Sequence, residues 1–233
     1  IYNRGVDMHQ APYVHGLFRD VFTGVDTRQK KAIPIGELHM LLNKDPQSEK
    51  LRRTQAIANL LFQFCGMPFS DLAHLEKSNL ERGLLKYNRT KTGTPMSIEV
   101  LESAQNAIGG LYNKSDARSS GYPDYLFRIL SGAYKRNEEG AYREYQSALR
   151  RFNNELKSLS RKLRLHSPVT SYTLRHSWAT TAKYRGVPIE MISESLGHKS
   201  IKTTQIYLKG FELEERTKVN KLNYSYVCNF KML

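Results

Sequence analysis

The side chains best equipped for chemistry in this 233-residue chain crowd into one stretch near its end, YTLRHSWATTAKYRGVPIEMISESLGHKSIKTTQIY, residues 172–207. A phenol, an imidazole and a guanidinium offer a nucleophile, a proton carrier and an anion-binding fork. Arg175 comes three residues after Tyr172, so both project from one face if the segment is helical. His198 follows Gly197, and Tyr207 comes nine residues after His198. Singly, each has an ordinary reading: a solvated arginine, a turn histidine, a core tyrosine. Other chemistries lack their motifs. The chain has no His-Glu-x-x-His, Cys-x-x-Cys, Walker-type glycine loop or Gly-x-Ser-x-Gly. Nothing in the motifs points to a metal, a cofactor or a serine nucleophile.

Those residues need helices to hold them. Helices are expected over about 172–185, 188–195 and 200–208, with Gly186 and Gly197 at helix ends and Pro188 in a first turn. The clearest helix spans Tyr142 to Leu163. There Tyr142, Tyr145, Leu149, Phe152, Leu156, Leu159 and Leu163 draw one apolar stripe, with most of the Arg and Lys off it. A short helix is expected at 35–44, with Ile35, Leu38, Leu41 and Leu42 inward, and a buried one over Gln55–Cys65. Between Leu84 and Val100 two β-prone runs flank Lys91-Thr92-Gly93-Thr94, a good hairpin turn. The tail at 223–233 reads as a terminal strand or extended segment. The fold class is therefore mainly α with one small antiparallel sheet (α+β).

Composition narrows the partner. Thirty-six Lys and Arg against 22 Asp and Glu leave +14, which favours a polyanion because neutralised phosphates release counterions. Cys65 and Cys228 are the only cysteines and sit far apart, so a disulfide framework is excluded and a reducing cytoplasm is expected. No run approaches 18 apolar residues, so no membrane partner is expected.

Taken together, Arg175-His176-Ser177-Trp178-Ala179-Thr180, Leu196-Gly197-His198 and Thr203-Thr204-Gln205-Ile206-Tyr207 resemble the C-terminal signature of the tyrosine recombinases, or phage-type integrases. Phe64-Cys65-Gly66-Met67-Pro68-Phe69-Ser70-Asp71-Leu72 is similar to the family's first box, and Lys91-Thr92-Gly93 to its hairpin lysine. The flavour is that of integrases of Bacteroides-type mobile elements. The resemblance covers roughly residues 30–222. It implies the recombinase catalytic-domain fold over 35–222, a lead-in at 1–34 from an N-terminal DNA-binding domain, and a tail at 223–233 that docks in trans, with packing onto its own domain as the competing expectation.

The reaction it implies is metal-free, cofactor-free transesterification of duplex DNA for mobile-element integration or excision. Tyr207 would attack phosphorus and leave a 3′-phosphotyrosyl bond, with Arg175 on the phosphate oxygens. His198 would donate to a non-bridging oxygen or take the Tyr207 proton. Lys91 would protonate the leaving 5′-oxygen. The partners implied are double-stranded DNA, a homotetramer on two DNA sites and accessory DNA-bending proteins, in a nucleoid-associated bacterial enzyme. A catalytically weakened DNA-binding relative and a type IB topoisomerase-like enzyme are the alternatives.

Two positions depart from the family pattern. Pro68 stands where the first box carries an arginine, and Tyr172 where the second carries a histidine or lysine. Arg89, two residues before Lys91, is the candidate replacement, since strand alternation would put both on one face about 7 Å apart. A pairing of Arg89 with Asp71 is the competing expectation, and Arg52, Arg53 and Arg82 are the further candidates.

Overall fold

A computed structural model describes residues 32–112, 122–208 and 213–229. The expected lead-in at 1–34 falls almost wholly outside them. The chain order begins with α1 (Ile35–Asn43), α2 (Glu49–Gln63) and α3 (Phe69–Ala73). An antiparallel sheet β1-β2-β3 follows: β1 (Leu80–Glu81), β2 (Leu84–Asn88) and β3 (Pro95–Glu99). The remaining helices are α4 (Glu102–Leu111), α5 (Glu139–Lys162), α6 (Ser171–Tyr184), α7 (Ile189–Ser195), α8 (Ile201–Tyr207) and α9 (Leu213–Cys228). The expected class, mainly helical with one small antiparallel sheet, is the one observed. No helix among the described residues is long and apolar enough to cross a membrane.

A large core fills the space among α1, α2, α4, α5 and the sheet, with Leu60, Leu61, Leu85, Leu156 and Leu159 fully buried. α5 buries the expected stripe from Phe152 onward, but its N-terminal Tyr142 is 64% exposed. Ile35 is also exposed, because it opens α1 directly after Pro34. α2 starts six residues before the expected Gln55, since Glu49–Thr54 add a polar face to an otherwise apolar helix. Gln55 and Asn59 on that helix donate to the carbonyls of Leu41, Lys44 and Leu42, satisfying the open C-terminal end of α1.

A second, smaller cluster of Ala179, Ile192, Leu196 and Leu208 lies under the C-terminal half of α6, α7 and α8. α6 joins the two clusters. Its N-cap Thr170 and Thr173 form a reciprocal capping box, which fixes where the helix starts and hence where Arg175 points.

The tail departs from expectation. Residues 223–228 belong to α9 rather than to a strand or extended tail. The β-prone Tyr224 and Val227 are overridden by the helix-forming run Leu213–Leu222 before them, since extending a helix costs far less than starting one.

Candidate active site

The site forms where four chain segments meet, and each is brought in by local backbone chemistry. At the end of α2, Cys65 and Gly66 take positive φ of 55° and 65° and turn the chain sharply. A Cβ on Gly66 would lie 3.2 Å from both Arg175 Cα and Trp178 Cβ, so only glycine lets this turn rest on α6. The Gly66 carbonyl then accepts from Nη1 of Arg175 at 2.8 Å. Gly197, with φ 65°, does the same for the hairpin. A Cβ there would meet Met96 Sδ at 2.8 Å and Arg89 Cγ at 3.0 Å.

The Leu196 carbonyl is the meeting point. Arg175 Nη2 donates to it at 2.6 Å, and Arg89 Nη1 donates to the same oxygen. Two buried guanidiniums thus converge on the C-terminal end of α7, where unpaired carbonyls favour cations. Asp71 offsets one of the charges: its Oδ2 lies 2.8 Å from Arg89 Nε, with the two side chains 1% and 7% exposed. Asp71 also accepts from the backbone N–H of Thr90. Burial, aided by the neighbouring Arg89, pulls the Arg175 pKa down to about 10, which still leaves it protonated at neutral pH.

Arg89 is paired with Asp71, as the competing expectation had it, and its guanidinium ends on the same carbonyl as that of Arg175. It does not share a face with Lys91. Strand β2 ends at Asn88, and Arg89 N–H bonds Thr94 O to close the turn. Alternation lapses there, so Arg89 turns inward while Lys91 stays exposed on the tip. The tip is tied back through Thr92, whose hydroxyl reaches the Gly197 carbonyl at 3.5 Å. Arg52 and Arg82 lie against surface carboxylates, and Arg53 donates to the Arg128 carbonyl.

His198 follows the α7 terminus. Its Nε2 lies 3.3 Å from Arg175 Nη2 and its Nδ1 lies 2.8 Å from Thr204 Oγ1. Burial lowers its pKa to about 4, reinforced by the positive charges of Arg175, Arg89 and Lys91, so the ring is neutral at pH 7.

Tyr207 ends α8 and sits edge-on to three rings, with centroids at 4.9 Å to His176, 5.8 Å to His198 and 5.9 Å to Tyr172. Burial pushes its phenol above the usual tyrosine range, and the neighbouring Tyr172 adds to this; Arg175 opposes it. The structure therefore brings Tyr207, Arg175, His198, Arg89 and Tyr172 together, with Lys91 at the rim. His176 and Thr204 stand in the motifs quoted from the sequence, but sequence reasoning gave neither a place in the site. Their signal was position: one follows Arg175 and the other precedes Tyr207 by a single helical turn.

Comparison with known proteins follows the same outline. Residues 35–213 match the phage integrase family model. A probable integrase/recombinase protein of Methanocaldococcus jannaschii is 28% identical over 204 residues, 84% of this chain and 58% of that protein. The tyrosine recombinase XerD of Halalkalibacterium halodurans is 30% identical over 190 residues, 77% of this chain and 57% of that protein. This chain thus spans somewhat over half the length of these relatives. Among solved structures, XerA recombinase superposes with TM-score 0.57 at 22% identity, covering 91% of this chain and 68% of that one. The Tn1549 transposon integrase, bound to a circular intermediate DNA, gives 0.55 at 16%, covering 84% and 67%. At these identities the superpositions establish the fold.

Proposed function

The chain belongs to the phage integrase family, and from that premise we propose that it cuts and rejoins duplex DNA at specific sites through a covalent link to Tyr207. The observation that carries the proposal is the convergence of Arg175, Arg89 and His198 beside the Tyr207 ring. In cleavage the Tyr207 oxygen bonds to phosphorus and the bond to the 5′-oxygen breaks. The phenolic proton leaves to a base, and Lys91 supplies a proton to the 5′-oxygen. Religation by a 5′-hydroxyl reverses each step, and the phosphotyrosyl bond conserves the energy of the diester. The two guanidiniums stabilise the charge that builds on the phosphate oxygens.

Arg89 occupies the role left open at Pro68. Its guanidinium arrives from the hairpin instead of the first box and ends on the same carbonyl as Arg175. The charge of +14 suits a DNA partner, and the Tn1549 integrase is solved on DNA. The homotetramer on two DNA sites, accessory bending proteins and a mobile-element role belong to this proposal. So does docking of the C-terminal segment onto a neighbouring copy. Val219, Leu222, Tyr224 and Val227 on α9 are between 56% and 72% exposed, apolar side chains that a neighbouring copy could cover from more than one side.

The test is covalent capture on nicked duplex carrying the target site, with the protein–DNA band resolved on a denaturing gel. Tyr207→Phe should abolish the band while DNA affinity stays within about threefold, since only the nucleophilic oxygen is lost. A band that survives the substitution would refute the assignment.

A further inference from the structure

The two sides of the His198 ring fix which nitrogen carries its proton. A guanidinium nitrogen only donates. One Nη2 hydrogen of Arg175 goes to the Leu196 carbonyl at 2.6 Å, and the other faces His198 Nε2 at 3.3 Å. Nε2 must then accept, because an N–H there would point donor at donor. The ring is neutral, held so by burial and by Arg175, Arg89 and Lys91 around it. Its single proton therefore belongs on Nδ1, where Thr204 Oγ1 waits at 2.8 Å as the acceptor. Thr204 is 0% exposed, so water cannot stand in for its hydroxyl.

The Tyr207 hydroxyl is buried without a hydrogen-bond partner in the free site, and the Nε2 lone pair faces Arg175. We infer that Thr204 is a positioning residue that holds His198 in its Nδ1–H form, so that Nε2 keeps a lone pair and takes the Tyr207 proton once Arg175 Nη2 turns from the ring to the incoming phosphate. This rests on Tyr207 being the nucleophile, and it selects one of the two roles open to His198. As the Tyr207 oxygen bonds to phosphorus, its proton passes to Nε2. As that oxygen leaves in religation, the proton returns. The imidazolium formed in between still carries its Nδ1 proton, so the bond to Thr204 serves both states without the ring turning. The incoming diester brings a negative charge that opposes the three cations and makes that protonation easier.

Thr204 and Tyr207 lie one turn apart on α8. The helix that delivers the nucleophile thus also delivers the group that readies its base.

The measurement is a two-bond nitrogen–proton correlation spectrum of the full chain labelled with ¹⁵N-histidine at pH 7, which separates the tautomers directly. His198 is assigned by the signal lost in His198→Gln. Wild type should show His198 as Nδ1–H. Thr204→Val, nearly isosteric, should convert it to Nε2–H or a mixture, and Thr204→Ser should keep it. In parallel, single-turnover cleavage by Thr204→Val should fall at least tenfold at unchanged DNA affinity, with Thr204→Ser close to wild type. In serine proteases, losing the charged partner that sets the tautomer costs about 10⁴, an upper bound for a neutral hydroxyl. An Nε2–H form in wild type, or a Thr204→Val protein with tautomer and rate both unchanged, overturns the inference. If the tautomer behaves as stated but no variant, wild type included, forms an adduct, then the tautomer stands and the strand-cleavage reading beneath it falls.

Discussion

Two hydrophobic clusters of very unequal size hold the two halves of the site. Among the described residues the larger contains 30 buried ones and anchors α2, the hairpin and the start of α6, the elements that place Gly66, Arg89 and Arg175. The smaller contains four of the described residues, Ala179, Ile192, Leu196 and Leu208, and carries α7 and α8, which place His198 and Tyr207. Local stability follows the apolar burial beneath each element. The half that holds Arg175 and Arg89 is therefore the more firmly seated one, and the half that holds His198 and Tyr207 opens at lower cost. On the proposed mechanism the first meets the phosphate and the second supplies the nucleophile. Preorganised charge stabilises a transition state only if it stays put, whereas a nucleophile that must engage and release DNA gains from a shallower seat.

The sharpest way to break this contrast is at Arg89. Arg89→Ala should slow single-turnover cleavage by about 10²–10³, the usual cost of deleting one transition-state donor. It also leaves Asp71 buried without its partner, a loss of about 3–5 kcal/mol in stability, so rates belong at temperatures where circular dichroism shows the variant folded. Arg89→Lys keeps a charge but loses the fork, and should recover only part of the rate. A change under threefold in Arg89→Ala would remove Arg89 from the mechanism.

Lys91, at the exposed hairpin tip, should behave differently because no buried partner depends on it. Lys91→Ala should slow cleavage of ordinary DNA strongly, by about 10²–10⁴ for a general acid. A 5′-bridging sulfur leaves without a proton, so that substrate should be cleaved nearly equally by variant and wild type. Failure of sulfur to rescue would assign Lys91 to backbone binding instead.

The clusters themselves can be compared by matched truncations. Leu61→Ala in the large cluster should lower global stability by about 2–5 kcal/mol. Ile192→Ala in the small one should chiefly raise amide exchange in α7 and α8, leaving α2 and α5 protected. Protection lost evenly across both clusters would erase the distinction.

The smallest effect is one of pH. His198 is held near 4, so the unfolded chain takes up a proton around 6.5 that the folded site refuses. Its contribution to stability is present above pH 6.5 and drains away as the pH falls to about 4. Urea melts of His198→Gln should show a flatter decline across that window than wild type; equal slopes would contradict the shift.

Much of this was legible beforehand, for reasons that differ by element. The spacing of Phe152, Leu156 and Leu159 announced α5, and the glycine and proline punctuation at 186, 188 and 197 bounded α6 to α8. α4 was hidden because Gly109 and Gly110 dilute its propensity, although packing of Ala104 and Ile108 against the large core holds it. α9 was misread because Tyr224 and Val227 favour strands only where a neighbouring strand exists. In the site, Arg175, His198 and Tyr207 stand in motifs and were visible. The inward turn of Arg89 depends on where β2 stops, and the role of Thr204 depends on which way an imidazole faces. Neither is a property of spacing.

The Leu196 carbonyl has an evolutionary consequence. It is a main-chain atom, so no substitution at position 196 can delete it. A guanidinium supplied from any surrounding element is captured as long as it can reach that oxygen. The donor's address in the sequence is thereby free to drift while its destination stays constant.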